Sequence, residues 1–381
     1  MSLIERGCDP LKNRPSGRNL SRRPICLSYR RGIFVVFWYN SDMNKNAKFI
    51  FVIGIGGSDL TSKAVWNALT AHKPEVEKKI FFLESPDSRE YKEVTNFVKT
   101  KIKNLEDIAL VAISKSGNTA ETLESFHKIF YILSEKFGSP LNKRVLIISS
   151  PNSPLWKLAE EKEIEKIEWE GDIGGRFSAF TVAHTKVLSI AGLDSDVFVA
   201  GGKEMDEECN TEAENNPAQN LARKIFDNYK NGVDILDFFI FNSELEDLGK
   251  WCRQLIAESL GKENKKGEKV GITPMVSIGP TDLHSILQLN LGGPKNKFTL
   301  FIMSLKEISQ SINESAYRDT IKTYLEAGLP FERYEIPEIN ERELGKFMAF
   351  MMKTTVELAK LLLVNPYDQP EVENYKNKLR N

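Results

Sequence analysis

The residues best suited to chemistry in this chain lie in two short stretches rich in glycine and hydroxyl groups. The first is Gly54-Ile55-Gly56-Gly57-Ser58, which ends a β-rich run over Phe49–Ile55 and precedes a helical pattern from about Leu60. Glycines let a backbone approach an anion closely, and the free N–H groups of a helix start point at whatever sits there. Ser58 adds a hydroxyl donor. The second is Ser114-Lys115-Ser116-Gly117-Asn118-Thr119-Ala120-Glu121-Thr122, with four hydroxyls, a lysine and a glycine in nine residues. It follows the buried-strand run Asp107–Ile113 and opens an amphipathic helix carrying Leu123, Phe126, Ile129, Phe130 and Leu133. So many donors around a positive dipole end predict a phosphate site. The plainer alternatives are glycines that serve helix–strand packing, and a capped helix with Thr119 as N-cap and Thr122 turned to solvent. Capping consumes one hydroxyl and leaves three unexplained. The second stretch is not a GxxxxGK[ST] nucleotide loop and lacks a GxGxxG fingerprint.

Loops of this kind need strands beneath them and helices beside them. Short runs at Ile80–Leu83 and Arg144–Ser149 alternate with helical stretches, which predicts a parallel sheet covered on both faces. A second set follows: strands Val233–Phe241, Lys297–Ser304 and Phe331–Ile336, with helices Glu244–Leu260 and Ile339–Leu363. The expected fold is α/β: two doubly wound, flavodoxin-like parallel-sheet domains of three layers, over residues 45–200 and 201–381. Residues 1–44 stand apart. Residues 1–31 carry eight basic and two acidic side chains, whereas the other 350 carry 44 and 51. Pro10, Pro15 and Pro24 would break the amphipathic helix of a transit peptide. This Arg-rich segment is expected to be a disordered or non-native leader, with Met43 as an alternative start.

Composition excludes several classes. The chain has 381 residues, 41 % hydrophobic and 28 % charged, with a formal net charge of −1. That is an ordinary globular balance with no basic field for nucleic acid. The apolar run Gly32–Tyr39 falls far below the ~20 residues of a membrane span. Four scattered cysteines (Cys8, Cys26, Cys209, Cys252) form no CxxC pair, which fits a reducing cytoplasm. Four histidines (His72, His127, His184, His284) form no HExxH pair, so no metal site is expected.

GIGGS (54–58), SKSGNTAET (114–122), GGRFS (174–178), QLIAESLGK (254–262), GPTDLHSILQL (279–289) and NPYDQPEVENYK (365–376) occur in this order. Together they resemble the phosphoglucose isomerase (glucose-6-phosphate isomerase) family, built from two sugar-isomerase (SIS) domains. The likeness runs from about Lys48 to the C-terminus. It implies reversible conversion of glucose 6-phosphate to fructose 6-phosphate through an enediol(ate), in glycolysis and gluconeogenesis, without cofactor or metal. It also implies a cytoplasmic homodimer with shared active sites, whose partner is a small sugar phosphate rather than nucleic acid or membrane. The resemblance assigns the substrate phosphate to Ser58, Ser114, Lys115, Ser116 and Thr119, with Gly57 allowing close approach. Glu258 matches the carboxylate that moves a proton between C1 and C2, and Arg176 the guanidinium that steadies the enediolate. His284 matches the imidazole that assists ring opening, Glu121 the carboxylate that orients it, and Lys376 the lysine near the ring oxygen. Gln254 and Gln369 match polar contacts to the sugar. Lys360, in the similar wording VELAK (356–360), is set aside because Asp368-Gln369 marks the position of Lys376.

The chemistry itself needs a base beside an acidic C–H, a donor at the developing oxyanion, and an acid–base pair to open the ring. On their own spacing, the same residues also have plainer roles. Glu258 lies four after Gln254, on a helix whose apolar stripe is Leu248, Cys252, Leu255 and Ile256, and would be a solvated carboxylate. His284 beside Asp282 would be a satisfied loop histidine. Arg176 would pair with a carboxylate such as Asp172, and Lys376 would be a surface lysine. Two rival functions remain: a dual glucose/mannose-6-phosphate isomerase, and a catalytically silent SIS sensor of sugar phosphates. The sensor would need the serine-rich loop but not Glu258, Arg176 and His284 together.

Overall fold

The computed structural model describes residues 24–30, 33–38, 46–71, 77–211 and 215–379. Within the expected leader, β1 (Pro24–Arg30) and β2 (Ile33–Trp38) pair antiparallel, and the rest of residues 1–44 lies outside the described residues. The regular fold begins with β3 (Phe49–Ile53), α1 (Leu60–Thr70), β4 (Lys79–Leu83), α2 (Ser88–Lys101) and β5 (Ile108–Ser114). It continues through α3 (Ala120–Phe137), β6 (Val145–Ser149), α4 (Pro154–Glu161) and β7 (Glu165–Glu168). These five strands form one parallel sheet in the order β4-β3-β5-β6-β7. Every residue of β5 is buried, as expected of a strand covered on both faces. Alternate residues serve opposite cores: Phe51, Ile53, Leu110 and Ile147 point one way, Ile50, Val52, Val111 and Ile148 the other. Phe126, Ile129 and Leu133 of α3 cover the first face. Trp66 of α1 covers the second, with Val187 and Ile190 of α5 (Val182–Ala191).

Helices α6 (Ser195–Glu208) and α7 (Pro217–Lys230) lead to β8 (Ile235–Ile240) and α8 (Glu246–Leu260). A short antiparallel pair follows, β9 (Lys262–Glu263) with β10 (Lys269–Val270), then β11 (Thr273–Ile278), α9 (Leu287–Gly292) and β12 (Lys297–Met303). The chain ends with α10 (Leu305–Ile308), α11 (Ile312–Glu326), β13 (Phe331–Glu335), α12 (Glu341–Leu362) and α13 (Pro370–Leu379). The second sheet is parallel in the order β11-β8-β12-β13. Two doubly wound parallel sheets are therefore present, as the sequence predicts; residue 200 falls inside α6. One core runs through both halves, joining Val65 and Leu69 of α1, Trp251 and Leu255 of α8, and Phe347 and Met351 of α12 to Phe238 and Leu300. On the other face of the second sheet, Phe301 meets Tyr324 edge-on at 5.0 Å between ring centroids. Truncating a buried ring of this kind costs about 3–5 kcal/mol. No helix among the described residues is long and apolar enough to cross a membrane.

Two strands of the parallel sheets escape the sequence reading for physical reasons. β7 (EKIE) buries only Ile167, and β11 (TPMVSI) contains Pro274; both are edge strands, where charge and proline are tolerated. The expected helix start at Glu244 is a 3₁₀ turn over Ser243–Leu245, and α12 starts two residues later than Ile339, where the Asn340 side chain accepts the Glu343 N–H. Both sheets reverse their winding between two adjacent central strands. In the first sheet those strands are β3 and β5, the two that precede the glycine- and hydroxyl-rich stretches. Crevices at such switch points, outside the strand C-termini, are where open α/β sheets bind ligands.

Candidate active site

The loop after β3 is held open by what it packs on. Gly56 has φ +58°, and Gly57 has no room for a side chain. A Cβ at Gly57 would sit 2.3 Å from the Gly175 carbonyl carbon and 2.6 Å from the Arg176 nitrogen. GIGGS and GGRFS therefore touch backbone to backbone. Beneath them lies His184 of α5, buried, with Nδ1 2.9 Å from Ser62 Oγ and Nε2 3.1 Å from Gly57 O. Nε2 also lies 3.0 Å from Ser178 Oγ, whose own proton goes to Gly175 O at 2.6 Å, so Nε2 carries the proton and Nδ1 accepts from Ser62. Burial holds this imidazole neutral, down to about 4. Nothing in the sequence singled out His184, because a lone histidine inside a helix has no pattern.

The loop after β5 settles the capping alternative. Thr119 stands at the N-cap of α3, but its side chain makes no cap bond and instead lies 3.1 Å from Ser114 Oγ. Thr122 is buried rather than turned to solvent. By contrast, α2 and α4 are capped by the Asp87 and Ser153 side chains. The first turn of α3 thus keeps its N–H groups for another acceptor. Gly117 (φ +56°) closes the turn, where a Cβ would lie 2.2 Å from Ser153 Oγ. Lys115 is half-buried; burial draws its ammonium below the usual lysine range, with Asp172 and Glu373 opposing. Ser116 is exposed and Ser58 half-buried. The two loops project from adjacent strands and offer an anion backbone, hydroxyl and ammonium donors.

Arg176 lies in the 3₁₀ turn Gly175–Phe177 and is 2 % exposed. Its five N–H donors meet five acceptors. Nε donates to Ser259 Oγ at 2.9 Å, and NH1 to Glu258 Oε2 at 3.3 Å and Gln369 Oε1 at 3.0 Å. NH2 donates to the carbonyls of Pro366 at 2.5 Å and Asp368 at 2.8 Å. Its partner is Glu258, not Asp172. Burial lowers the guanidinium's affinity for its proton, Glu258 raises it, and the group stays charged. Glu258 is on the last turn of α8 with its side chain 28 % exposed, and its other oxygen accepts from Gln254 Nε2 at 3.0 Å. One helical turn separates the two, so α8 presents both on one face.

The structure thus gathers Gln254, Glu258, Arg176 and Gln369. Among the described residues, no hydrogen bond joins His284 or Glu121 to this set. His284 is exposed in the turn Thr281–His284, without a hydrogen-bond partner among the described residues. Glu121 is half-buried at the start of α3, also without such a partner. Lys376 falls in α13, and its side chain lies outside the described residues.

Donor-lined loops at one switch point, beside a buried guanidinium paired with a carboxylate, define an α/β protein of the sugar-isomerase class. The phosphoglucose isomerase family pattern matches residues 37–309, and the chain belongs to that family. It is 32 % identical to the glucose-6-phosphate isomerase of Methanocaldococcus jannaschii over 348 residues, which cover 86 % of this chain and 82 % of the relative. Identity to the glucose-6-phosphate isomerase of Fusobacterium nucleatum is 28 %, over 87 % of this chain and 78 % of that one. Among solved structures, a hypothetical protein from Thermus thermophilus superposes with a TM-score of 0.80 at 26 % identity, covering 88 % and 84 % of the two chains. A glucose-6-phosphate isomerase from Chlamydia trachomatis shares the fold, with a TM-score of 0.76 at 19 % identity, over 88 % of this chain and 70 % of that one.

Proposed function

We propose that this chain interconverts glucose 6-phosphate and fructose 6-phosphate through an enediolate, with Glu258 as the proton-transfer base and Arg176 as the cation facing the oxyanion. The observation that carries this reading is the Gln254–Glu258–Arg176 set, a solvent-reachable carboxylate held between an amide and a buried guanidinium. The phosphate sits on Ser58, Ser114, Lys115, Ser116 and Thr119. Glu258 takes the proton from C2 of the open-chain aldose; the C–H electron pair forms the C1–C2 double bond and charge passes to O1. The O2 hydroxyl proton moves to O1, and Glu258 returns its proton to C1, leaving the ketose. Glu258 is the most distant of the five Arg176 acceptors. It becomes neutral on taking the C2 proton, so NH1 loses a charged partner as the enediolate gains its charge. The NH1 hydrogen that faced Glu258 is then available to the oxyanion while the other four donors stay in place.

His284, Glu121 and Lys376 open the ring. The exposed, unpartnered His284 favours a homodimer in which this loop reaches the site of a second copy. The substrate is a charged phosphate that does not cross a bilayer freely, which favours action in the cytoplasm, at the aldose–ketose step of glycolysis and gluconeogenesis. The test is turnover of each hexose phosphate by a coupled assay, together with transfer of solvent deuterium into the product at C1 or C2. Equal turnover of mannose 6-phosphate would favour the dual isomerase. Sugar-phosphate binding with no turnover would favour the silent sensor.

A further inference from the structure

Lys262 ends the AESLGK stretch and has no part in the mechanism above, yet it is among the most tightly held cations of the molecule. Its side chain is 6 % exposed. An ammonium has three N–H donors, and here they meet the carbonyl of Asn365, the carbonyl of Asp368 and Asp368 Oδ1, each at 2.7 Å. Burial draws this ammonium below the ordinary lysine range, with Asp368 opposing. All three bonds go to one short segment, Asn365–Asp368, which crosses from α12 to α13.

The same segment is gripped from the other side. Arg176 NH2 donates to the Pro366 and Asp368 carbonyls, so the Asp368 carbonyl receives both a guanidinium and an ammonium. Tyr367 packs on Phe177 with ring centroids 5.1 Å apart. Asn365 Nδ2 donates to Asp368 Oδ2 at 2.9 Å, which closes the turn on itself. The next residue is Gln369, which accepts from Arg176 NH1, and Pro370 begins α13, on which Lys376 lies. A shift of this strap would move Gln369, the acceptors of Arg176 and the start of α13 together.

We propose that Lys262 is a positioning residue: by fastening the Asn365–Asp368 strap it fixes the fork of Arg176, Gln369 and the helix bearing Lys376 in one arrangement. The inference rests on the proposed reading of Arg176 and Gln369. Lys262 touches no reacting atom. Misplacement of such groups by about 1 Å can cost 10²-fold. Among the described residues no hydrogen bond joins the loops after β3 and β5 to the strap, so phosphate affinity is the less affected quantity.

The test is Lys262→Met in the full chain, with Lys262→Arg and Asp368→Ala beside it. In Lys262→Met, kcat falls by about 10–100-fold, while the KM for glucose 6-phosphate and competitive inhibition by inorganic phosphate stay within about two-fold. Amide hydrogen exchange quickens over residues 365–379 and nowhere else. Lys262→Arg recovers part of kcat. If Lys262→Met does not fold, Asp368→Ala, which removes one acceptor of three, must still quicken exchange over 365–379 and lower kcat. Wild-type kcat in a folded Lys262→Met chain overturns the proposal, as does unchanged exchange over the strap. A loss of kcat that merely follows a general loss of stability, with exchange raised throughout, overturns it too. Hydrogen exchange is read without turnover, so an inactive wild-type chain would defeat the functional reading while the strap is judged separately.

Discussion

The loops after β3 and β5 and the loop after β11 sit at the C-terminal ends of parallel strands, but they are finished in opposite ways. In the first pair, Gly57 presses on Gly175, and a chain of hydroxyls runs from Thr119 to Ser114 and from Ser149 to Ser153. In the loop after β11 the Asp282 carboxylate accepts the Ile278 N–H and the Ser285 hydroxyl, each at 2.7 Å, Leu283 and Ile286 pack on the core, and His284 stands exposed. The donors of the expected anion site thus belong to one chain, whereas the imidazole stands exposed on its turn. That difference separates groups whose loss acts on their own site from a group whose loss should act on a neighbour's.

The most damaging single change is expected at Glu258. Glu258→Gln keeps one oxygen to accept from Arg176, its NH2 can donate to a flipped Gln254 amide, and it cannot take a proton. Removing a general base typically costs 10²–10⁴-fold in kcat. Sugar-phosphate affinity, measured by competition in the same assay, stays close to wild type. Near-normal turnover would remove Glu258 from the mechanism.

Gly57→Ala attacks the enclosed side of the comparison. Its methyl would lie 2.3 Å from a backbone carbon, so neither neighbour can yield cheaply and GIGGS must part from GGRFS. The expected loss is roughly 10²-fold in kcat/KM, from displaced donors rather than lost chemistry. The measurement is kcat/KM beside inhibition by inorganic phosphate. An unchanged phosphate constant would show that the loop is not an anion site.

The exposed side is tested by mixing. His284→Ala and Glu258→Gln chains are each expected to be nearly inactive alone. If the imidazole is donated across a dimer, a mixed pair has one site with both defects and one with neither. Random exchange then restores up to about a quarter of wild-type activity, since half the pairs are mixed and each has one intact site. No recovery after confirmed exchange would place His284 in its own chain's site.

The two regions also differ in how legible they were. Glycines forced by close backbone approach and hydroxyls at a helix start are local, so the turns at GIGGS and SKSGNTAET could be placed from their residues, with an anion site as the expectation. The Gln254–Glu258 spacing was local too. The five acceptors of Arg176 come from α8 and from residues 366–369, about 80 and 190 positions away, and only tertiary packing assembles them. Resemblance pointed to Glu258 and Gln369; nothing pointed to Ser259 or to two backbone carbonyls. Lys262 and His184 were invisible for the same reason. Edge strands β7 and β11 lacked the apolar run that makes a central strand readable.

The smallest expected effect concerns one buried titratable group beneath each region, and the two should respond to pH with opposite sign. His184, under the first loops, is held neutral down to about 4, against an ordinary 6.5. Above pH 6.5 it is neutral folded or unfolded; as pH falls from 6.5 to 4 only the unfolded chain takes the proton, and stability is lost. Asp237 lies in β8, fully buried, with Ser277 Oγ donating to its two oxygens at 2.9 and 3.1 Å. Burial, with Asp282 adding to it and Lys297 opposing, pushes its carboxyl up to about 6 from 3.8. The folded chain keeps this proton between about pH 4 and 6 while the unfolded chain releases it, so here stability is lost as pH rises through that window. The shift corresponds to about 3 kcal/mol above pH 6, an order-of-magnitude figure at ~1.4 kcal/mol per unit. Asp237→Asn keeps an acceptor for Ser277 and removes the charge. Its melting temperature is therefore expected to exceed wild type by several degrees at about pH 8 and to match it near pH 4. Thermal unfolding of the two chains across this range measures the difference. A gain near pH 4 equal to that near pH 8 would mean that the Asp237 carboxyl is not raised in the folded protein, and would overturn this reading.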